Sequence, residues 1–198
     1  EDGLRPDNTI RDAPINIDGW RPRNFDGKFA GDVTVERALA RSINTVAVKV
    51  AKRVGPEKIV SVAQRLGITA KLSPDLSLAL GASEVSLFEM TAAYLPFANG
   101  GTGVFPYGVT EIRTSSGEVL YRRSGDSLGR IVDARNVGWM NRMLSAAVQD
   151  GTGRHARLED RVASNQRLEG VLSLLAGIFI ALLIPRLTVK RRRNDGWR

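Results

Sequence analysis

Asp32-Val33-Thr34-Val35-Glu36-Arg37-Ala38-Leu39-Ala40-Arg41-Ser42-Ile43-Asn44-Thr45-Val46-Ala47 reads as two helices meeting at a short polar break. Thr34 is a good N-cap for a short helix over residues 35–41. A second helix runs over about 45–54, with Val46, Val50 and Val54 on one face and Gly55 at its end. Between them Ser42-Ile43-Asn44 sets a hydroxyl and an amide on a tight connection held by helices on both sides. A rigid scaffold presents polar side chains to a cleft in this way. A Ser-x-Asn triplet alone carries little weight, recurring by chance in about every second chain of this length. The plainer account is structural, with Ser42 ending one helix and Asn44 capping the next.

Outward from this corner the chain divides into regular elements. Pro56 opens a third helix at its first position, with Ile59, Val62, Ala63 and Leu66 as its apolar stripe and Gly67 as its stop. Residues 77–80 form a short apolar run ended by Gly81, expected to be buried. Ser86 and Glu89 spell a capping box for a helix to about Phe97, halted by Asn99-Gly100-Gly101. Residues 109–113 and 118–122 flank Thr114 to Gly117 as a hairpin. Asp133 caps a last helix with Val137, Met140, Leu144 and Val148 inward, ending at Asp150-Gly151. Before the corner, residues 4–31 are rich in turn formers and read as an extended loop pinned by Trp20, Phe25 and Phe29. A long irregular stretch of this kind is more often functional than idle. The fold class is α+β with helices dominant.

Composition bounds the function. The 198 residues carry 42% hydrophobic and 25% charged residues, ordinary for a folded chain. Of the net charge of +8, residues from Ser164 onward hold seven cations against Glu169 and Asp195, leaving +3 for the first 163. That is not the basic stripe of a nucleic-acid-binding face, and no nucleic-acid partner is expected. With no cysteine there is no thiolate nucleophile and no Cys-based zinc site. With one histidine, only carboxylates could hold a metal, and neither metal nor cofactor is expected. His155 lies in a Gly-rich stretch without a nucleophile motif and reads as an exposed bystander. Gly151-Thr152-Gly153 is too short for a phosphate loop and lacks its lysine.

Several blocks, in this order and spacing, carry a specific likeness. They are Trp20-Arg21-Pro22-Arg23-Asn24-Phe25-Asp26-Gly27, the stretch 32–47, Leu66-Gly67-Ile68, Ser77-Leu78-Ala79-Leu80-Gly81 with Glu84-Val85, Met90-Thr91-Ala92-Ala93-Tyr94, Phe97-Ala98-Asn99-Gly100-Gly101, and Gly151-Thr152-Gly153-Arg154. Over residues 1–163 they resemble the transpeptidase domain of class A penicillin-binding proteins, with Ser42-Ile43-Asn44 as the second active-site motif. The resemblance implies a partial beta-lactamase/transpeptidase-like fold. The complete family domain has a five-stranded antiparallel sheet with helices on both faces, and this chain would supply mostly the helical part. It further implies a serine acyl transfer on D-Ala-D-Ala stem peptides, penicillin binding, and a place on the periplasmic face of the bacterial inner membrane. By the same resemblance Ser42 would relay protons between a catalytic lysine and the leaving nitrogen. Asn44 would hydrogen-bond the substrate amide and brace that lysine.

Two family motifs are missing from these residues. No Ser-x-x-Lys occurs, since only Lys28 precedes Ser42 and Phe25 stands three residues before it. After Arg161-Val162-Ala163 the family pattern asks for Gly-Lys-Thr-Gly-Thr, and the chain gives Ser164-Asn165-Gln166-Arg167-Leu168. The expectation is a fragment without activity of its own, beginning upstream of Glu1 and holding a domain over 1–163. Residues 164–198 form a separate tail, apolar over 170–184 and basic over 190–193. Fifteen apolar residues fall short of the ~20 of a membrane span. Out-of-frame sequence or a fusion junction is the preferred reading of the tail. A membrane segment with a positive-inside flank is the rival, and with it a non-catalytic membrane-anchored binding module.

Overall fold

The computed structural model describes residues 3–125 and 128–156; the expected tail over 164–198 lies outside them. The first elements form a small antiparallel ribbon. Strand β1 (Thr9–Asp12) pairs with β2 (Gly31–Thr34), Thr9 opposite Thr34 and Asp12 opposite Gly31. Residues 13–30 loop out from its open end. A two-residue turn inside this loop, Asp18 and Gly19 both at positive φ, joins Ile17 and Trp20 through bonds of 2.9 and 2.8 Å.

Helix α1 (Val35–Ala40) follows β2 directly, Thr34 accepting the Arg37 amide as its N-cap. Helix α2 (Asn44–Val54) is the central element, touching β1, α1, α3 and the 3-10 turn Leu76–Leu80. Its buried residues are Thr45, Val46, Val48 and Ala51, while Val50 and Val54 are half-buried. The buried arc is wider than the expected single stripe because α2 is covered from several directions. Val33, Ala38 and Val46 form the core beneath the corner, with Ile10, Ile43 and Val50 against them.

Helix α3 (Pro56–Arg65) begins at Pro56 as expected, yet none of its apolar stripe is buried and Val62 is exposed. The apolar run at 77–80, within the 3-10 turn that lies against α2, is only half-covered, with Leu80 exposed. The aromatic pins of the long loop are likewise absent. Phe25 is 82% exposed and Trp20 and Phe29 are exposed too; Pro22 is the buried residue of that loop, which polar bonds also fasten.

Helix α4 (Leu87–Ala98) starts with the Ser86/Glu89 capping box. Strands β3 (Glu111–Arg113) and β4 (Val119–Arg122) form the hairpin over Thr114 to Gly117, Gly117 supplying the positive φ. Helix α5 (Ala134–Gln149) is capped by Asp133 and packs on α1, where Arg142 meets Glu36 at 2.6 Å. Asn141 ties α5 to α4 through the Phe97 carbonyl at 2.9 Å. The strands make two separate two-stranded ribbons among the described residues, so helices dominate, as the sequence indicated.

Glu89 does more than cap α4. One carboxylate oxygen accepts the Thr69 amide at 2.8 Å, the Thr69 hydroxyl at 2.6 Å and the Ala70 amide at 3.0 Å; the other accepts the Ser86 amide and hydroxyl. One side chain thereby fastens the turn after α3 to the start of α4. The bonds from Thr69 and Ser86 draw its pKa down from the ordinary 4.5 to about 2. A depressed folded-state pKa makes this contribution complete above pH 4.5 and lost as the pH falls toward 2. Glu89→Ala is therefore expected to lower the thermal midpoint at pH 7, and the gap from wild type should close between pH 4.5 and 2. Melting curves by circular dichroism against pH check this; a gap independent of pH would remove the carboxylate from the explanation.

Candidate active site

The corner at Ser42 follows from how α1 ends. The Ser42 amide donates to the Leu39 carbonyl at 3.0 Å, and the Ile43 amide reaches back to Ala38 at 2.9 Å. This crossed pair is a Schellman-type helix end, which requires a left-handed residue just past the cap. Glycine usually fills that place, and here it is Ser42, at φ 52. An L-residue there costs on the order of 1 kcal/mol. Ile43 makes the apolar contact typical of the motif, packing on the cluster that contains Ala38. Ile43 is also the residue from which α2 starts, extended at φ −76 and ψ 103. Three residues, Arg41, Ser42 and Ile43, thus separate α1 from α2, and Ser42 stands exposed among them.

Asn44 is not the cap of α2, contrary to the plainer expectation. It is the first helical residue, and its Nδ2 donates to the Arg23 carbonyl at 2.9 Å. The helix has no cap from Ile43; the acceptor for its second amide comes from 21 residues away. Oδ1 of Asn24 takes the Thr45 N–H at 3.2 Å. Nδ2 of Asn24 donates in turn to both Asp12 oxygens, at 3.0 and 3.1 Å, and to the Lys28 carbonyl at 2.8 Å.

Asp12 is the buried end of this network, 2% exposed. It accepts the Thr45 hydroxyl, which is wholly buried, and the Ala30 amide at 2.7 Å. Burial alone would raise its carboxyl. The bonds from Thr45, Ala30 and Asn24, with the charge of Lys49, outweigh that and hold it below the ordinary value. Lys49 is fixed by backbone on either side of Asp12, donating to the Arg11 carbonyl at 2.7 Å and to Ala13 at 3.4 Å. The Lys49 ammonium is thus engaged in structure.

The other wall is α5. The Thr152 amide donates to the Ala40 carbonyl at 3.0 Å, and the Gly153 amide returns to Ala147. A Cβ on Gly151 would lie 2.2 Å from the Ala40 oxygen and 2.7 Å from Ala147, so only glycine fits. The Gly-Thr-Gly stretch, unsuited to phosphate, is a brace for the end of α1. His155 is exposed on the 3-10 turn Arg154–Ala156.

The two predicted residues, Ser42 and Asn44, therefore meet at one corner. Asp12, Asn24 and Gly151, which set its geometry, were not singled out as site residues from the sequence. Asn24 and Gly151 do fall within the characteristic blocks; Asp12 had no local signal. Chemically the corner offers a hydroxyl able to donate and accept, beside an amide with one N–H engaged. Among the described residues no group of three or more His, Asp or Glu could hold a metal.

Comparison with known proteins places this architecture. Residues 1–166 match the penicillin binding protein transpeptidase domain, and the chain belongs to that family. Its relatives include penicillin-binding protein 1A of Rickettsia felis, 40% identical over 129 residues, covering 62% of this chain and 16% of that protein. Penicillin-binding protein 1A of Aquifex aeolicus is 37% identical over 153 residues, 77% of this chain and 21% of that one. The chain thus spans about a fifth or less of these relatives. Among solved structures, the D,D-transpeptidase domain of an Eggerthella lenta peptidoglycan glycosyltransferase superposes with a TM-score of 0.72 at 18% identity, covering 92% of this chain and 61% of that one. Haemophilus influenzae penicillin-binding protein 1A gives 0.71 at 22%, over 78% of this chain and 29% of that one. At such identities these two speak for the fold, and they agree with the α+β transpeptidase-like class.

The left-handed serine yields a test. Ser42→Gly relieves the strain and should stabilise the chain by about 0.5–1 kcal/mol, raising the Tm by about 2 °C. Ser42→Ala keeps the strain and should show no gain. Thermal denaturation of the three proteins checks it, and a fall for Ser42→Gly would mean that the hydroxyl is a structural bond.

Proposed function

We propose that residues 1–163 form one wall of a D,D-transpeptidase site that cross-links peptidoglycan stem peptides ending in D-Ala-D-Ala and is acylated by β-lactams. Family membership supports the reaction class; the observation that carries the residue assignment is Ser42 itself. A strained, exposed hydroxyl fixed between two helices, where glycine would be easier, points to a use for its oxygen.

In the reaction, a serine oxygen attacks the carbonyl of the penultimate D-Ala, the terminal D-Ala leaves with a proton, and the acyl group passes to an amine of a neighbouring strand. Ser42 carries the proton between the lysine beside that serine and the leaving nitrogen. Asn44, oriented by the bond from its Nδ2 to Arg23, offers Oδ1 and its second N–H to the substrate amide and the lysine. The nucleophilic Ser-x-x-Lys and the carboxylate-binding Lys-Thr-Gly are not among the 198 residues. The isolated chain is accordingly inactive, and its partners in the working enzyme are those motifs, the stem peptide and, through the parent protein, the periplasmic face of the inner membrane. Residues 167–198 lie beyond the family match. Among the described residues no helix is long and apolar enough to cross a membrane.

Transplantation tests the reading. Residues 1–163 replace the matching segment of full-length Aquifex aeolicus penicillin-binding protein 1A, and a fluorescent penicillin reports acylation. The chimera is expected to label, Ser42→Ala to acylate at least about 100-fold more slowly, and the isolated chain to take no covalent label. Unchanged acylation by Ser42→Ala, or a stable adduct on the isolated chain, would sink the proposal.

A further inference from the structure

We propose that Asn24 is a positioning residue for the transpeptidase reaction, holding Asn44 and the start of α2 in the orientation the chemistry needs. The inference rests on the reading of Ser42 and Asn44 given above and adds to it a residue that touches neither substrate nor nucleophile.

Three observations converge on this side chain. The first is the uncapped helix. With no cap from Ile43, α2 obtains an acceptor for the Thr45 amide from Oδ1 of Asn24, so the first turn that carries Asn44 is fixed from the loop. The second is adjacency in sequence. The carbonyl that accepts Asn44 Nδ2 belongs to Arg23, so the peptide link between residues 23 and 24 is gripped on both sides. A shift at Asn24 carries the Arg23 carbonyl with it. The amide of Asn44 would then lose the bond that decides which of its ends faces the corner. The third is the rigidity of the grip. Asn24 Nδ2 ends on a carboxylate that is 2% exposed and itself held by Thr45, Ala30 and Lys49.

Asn24 thus bonds the same short stretch of α2 twice, directly through the Thr45 amide and indirectly through Asp12 and the Thr45 hydroxyl. A mere loop staple would need only one of these. Neighbouring Phe25 is exposed and so does not set the loop by packing, while Pro22 is buried two residues before Asn24. A displacement of about 1 Å at a group aligned with the reacting atoms costs up to about 100-fold in rate.

The test uses the chimera and the fluorescent penicillin described above, following labelling in time so that rate and final amplitude are read separately. Asn24→Ala is expected to reach the labelled fraction of the unmutated chimera with a rate constant about 10- to 100-fold lower. A purely structural role predicts the reverse, a reduced amplitude with an unchanged rate, and that result overturns the proposal. Ser42→Ala in parallel separates the two levels. If Ser42→Ala is slow and Asn24→Ala is not, the positioning inference fails and the site reading survives. If Ser42→Ala is as fast as the parent, both fail. Should Asn24→Ala not fold, nuclear magnetic resonance of the unmutated 198-residue chain decides. Slow hydrogen exchange of the Asn44 side-chain amide is expected, and exchange at the rate of a free amide overturns the proposal.

Discussion

A carboxylate taken out of water at Asp12 is the constraint on which the corner depends. An unpaired buried charge costs several kcal/mol, so the groups around it are not free to move independently. Its partners come from three places: Thr45 and Lys49 on α2, Ala30 at the end of the loop, and Asn24 within it. The residue lies at the mouth of the β1–β2 ribbon, where Asp12 faces Gly31 and the loop departs and returns. One ionised group therefore closes the loop, attaches it to the helix and sets the ribbon against both. The Lys49 ammonium, bonded to carbonyls on either side of Asp12, balances the charge without reaching the solvent-facing corner.

On this base the chain joins α1 to α2 through Arg41, Ser42 and Ile43 alone. The economy has a consequence for Ser42. A Schellman-type end needs a left-handed residue, and an immediate second helix leaves no spare position to hold it elsewhere. A glycine would have been easier, and the serine persists at a cost on the order of 1 kcal/mol. That cost is borne because the corner is over-determined on every side: Ile43 in the core, Asn44 on Arg23, Thr45 on Asn24, and Ala40 on Thr152. Gly151 completes the enclosure, since any larger residue would strike the Ala40 carbonyl.

Local signals were legible in the sequence wherever the controlling interaction spans few residues. The Thr34 and Asp133 caps, Pro56, the Ser86/Glu89 box and the turn from Thr114 to Gly117 are all written within four positions, and all stand as read. Reading failed where packing or a distant partner decides. The stripe of α3 and the run at 76–80 look buried by pattern, but apolar spacing says which face is sticky and not whether anything covers it. The loop's aromatic residues suggest pins, whereas its polar fastenings, Asp12 to Thr45 and Asn24 to Thr45, cross 33 and 21 residues and leave no local signal. Ser42 and Asn44 emerged through resemblance to a motif; the left-handed φ that distinguishes Ser42 has no signature in a Ser-x-Asn triplet.

The same contrast separates two kinds of surface in the molecule. Around the corner, polar bonds with distant partners do the fastening, and the hydrophobic cluster of Val33, Ala38 and Val46 is small but closed over by Ile10, Ile43 and Val50. Along α4 and the hairpin the balance is different. Leu87 and Phe88, in the first turn of α4, and Leu120 and Tyr121, in β4, all stand exposed. Large apolar residues left in water signal an incomplete surface, whereas single buried polar links hold their geometry without further cover. The chain covers 61% of the Eggerthella lenta domain. The corner with Ser42 and Asn44 belongs to the part whose fastening is internal, because each of its named bonds ends on a residue within positions 11 to 153. Its geometry is therefore a property of this chain.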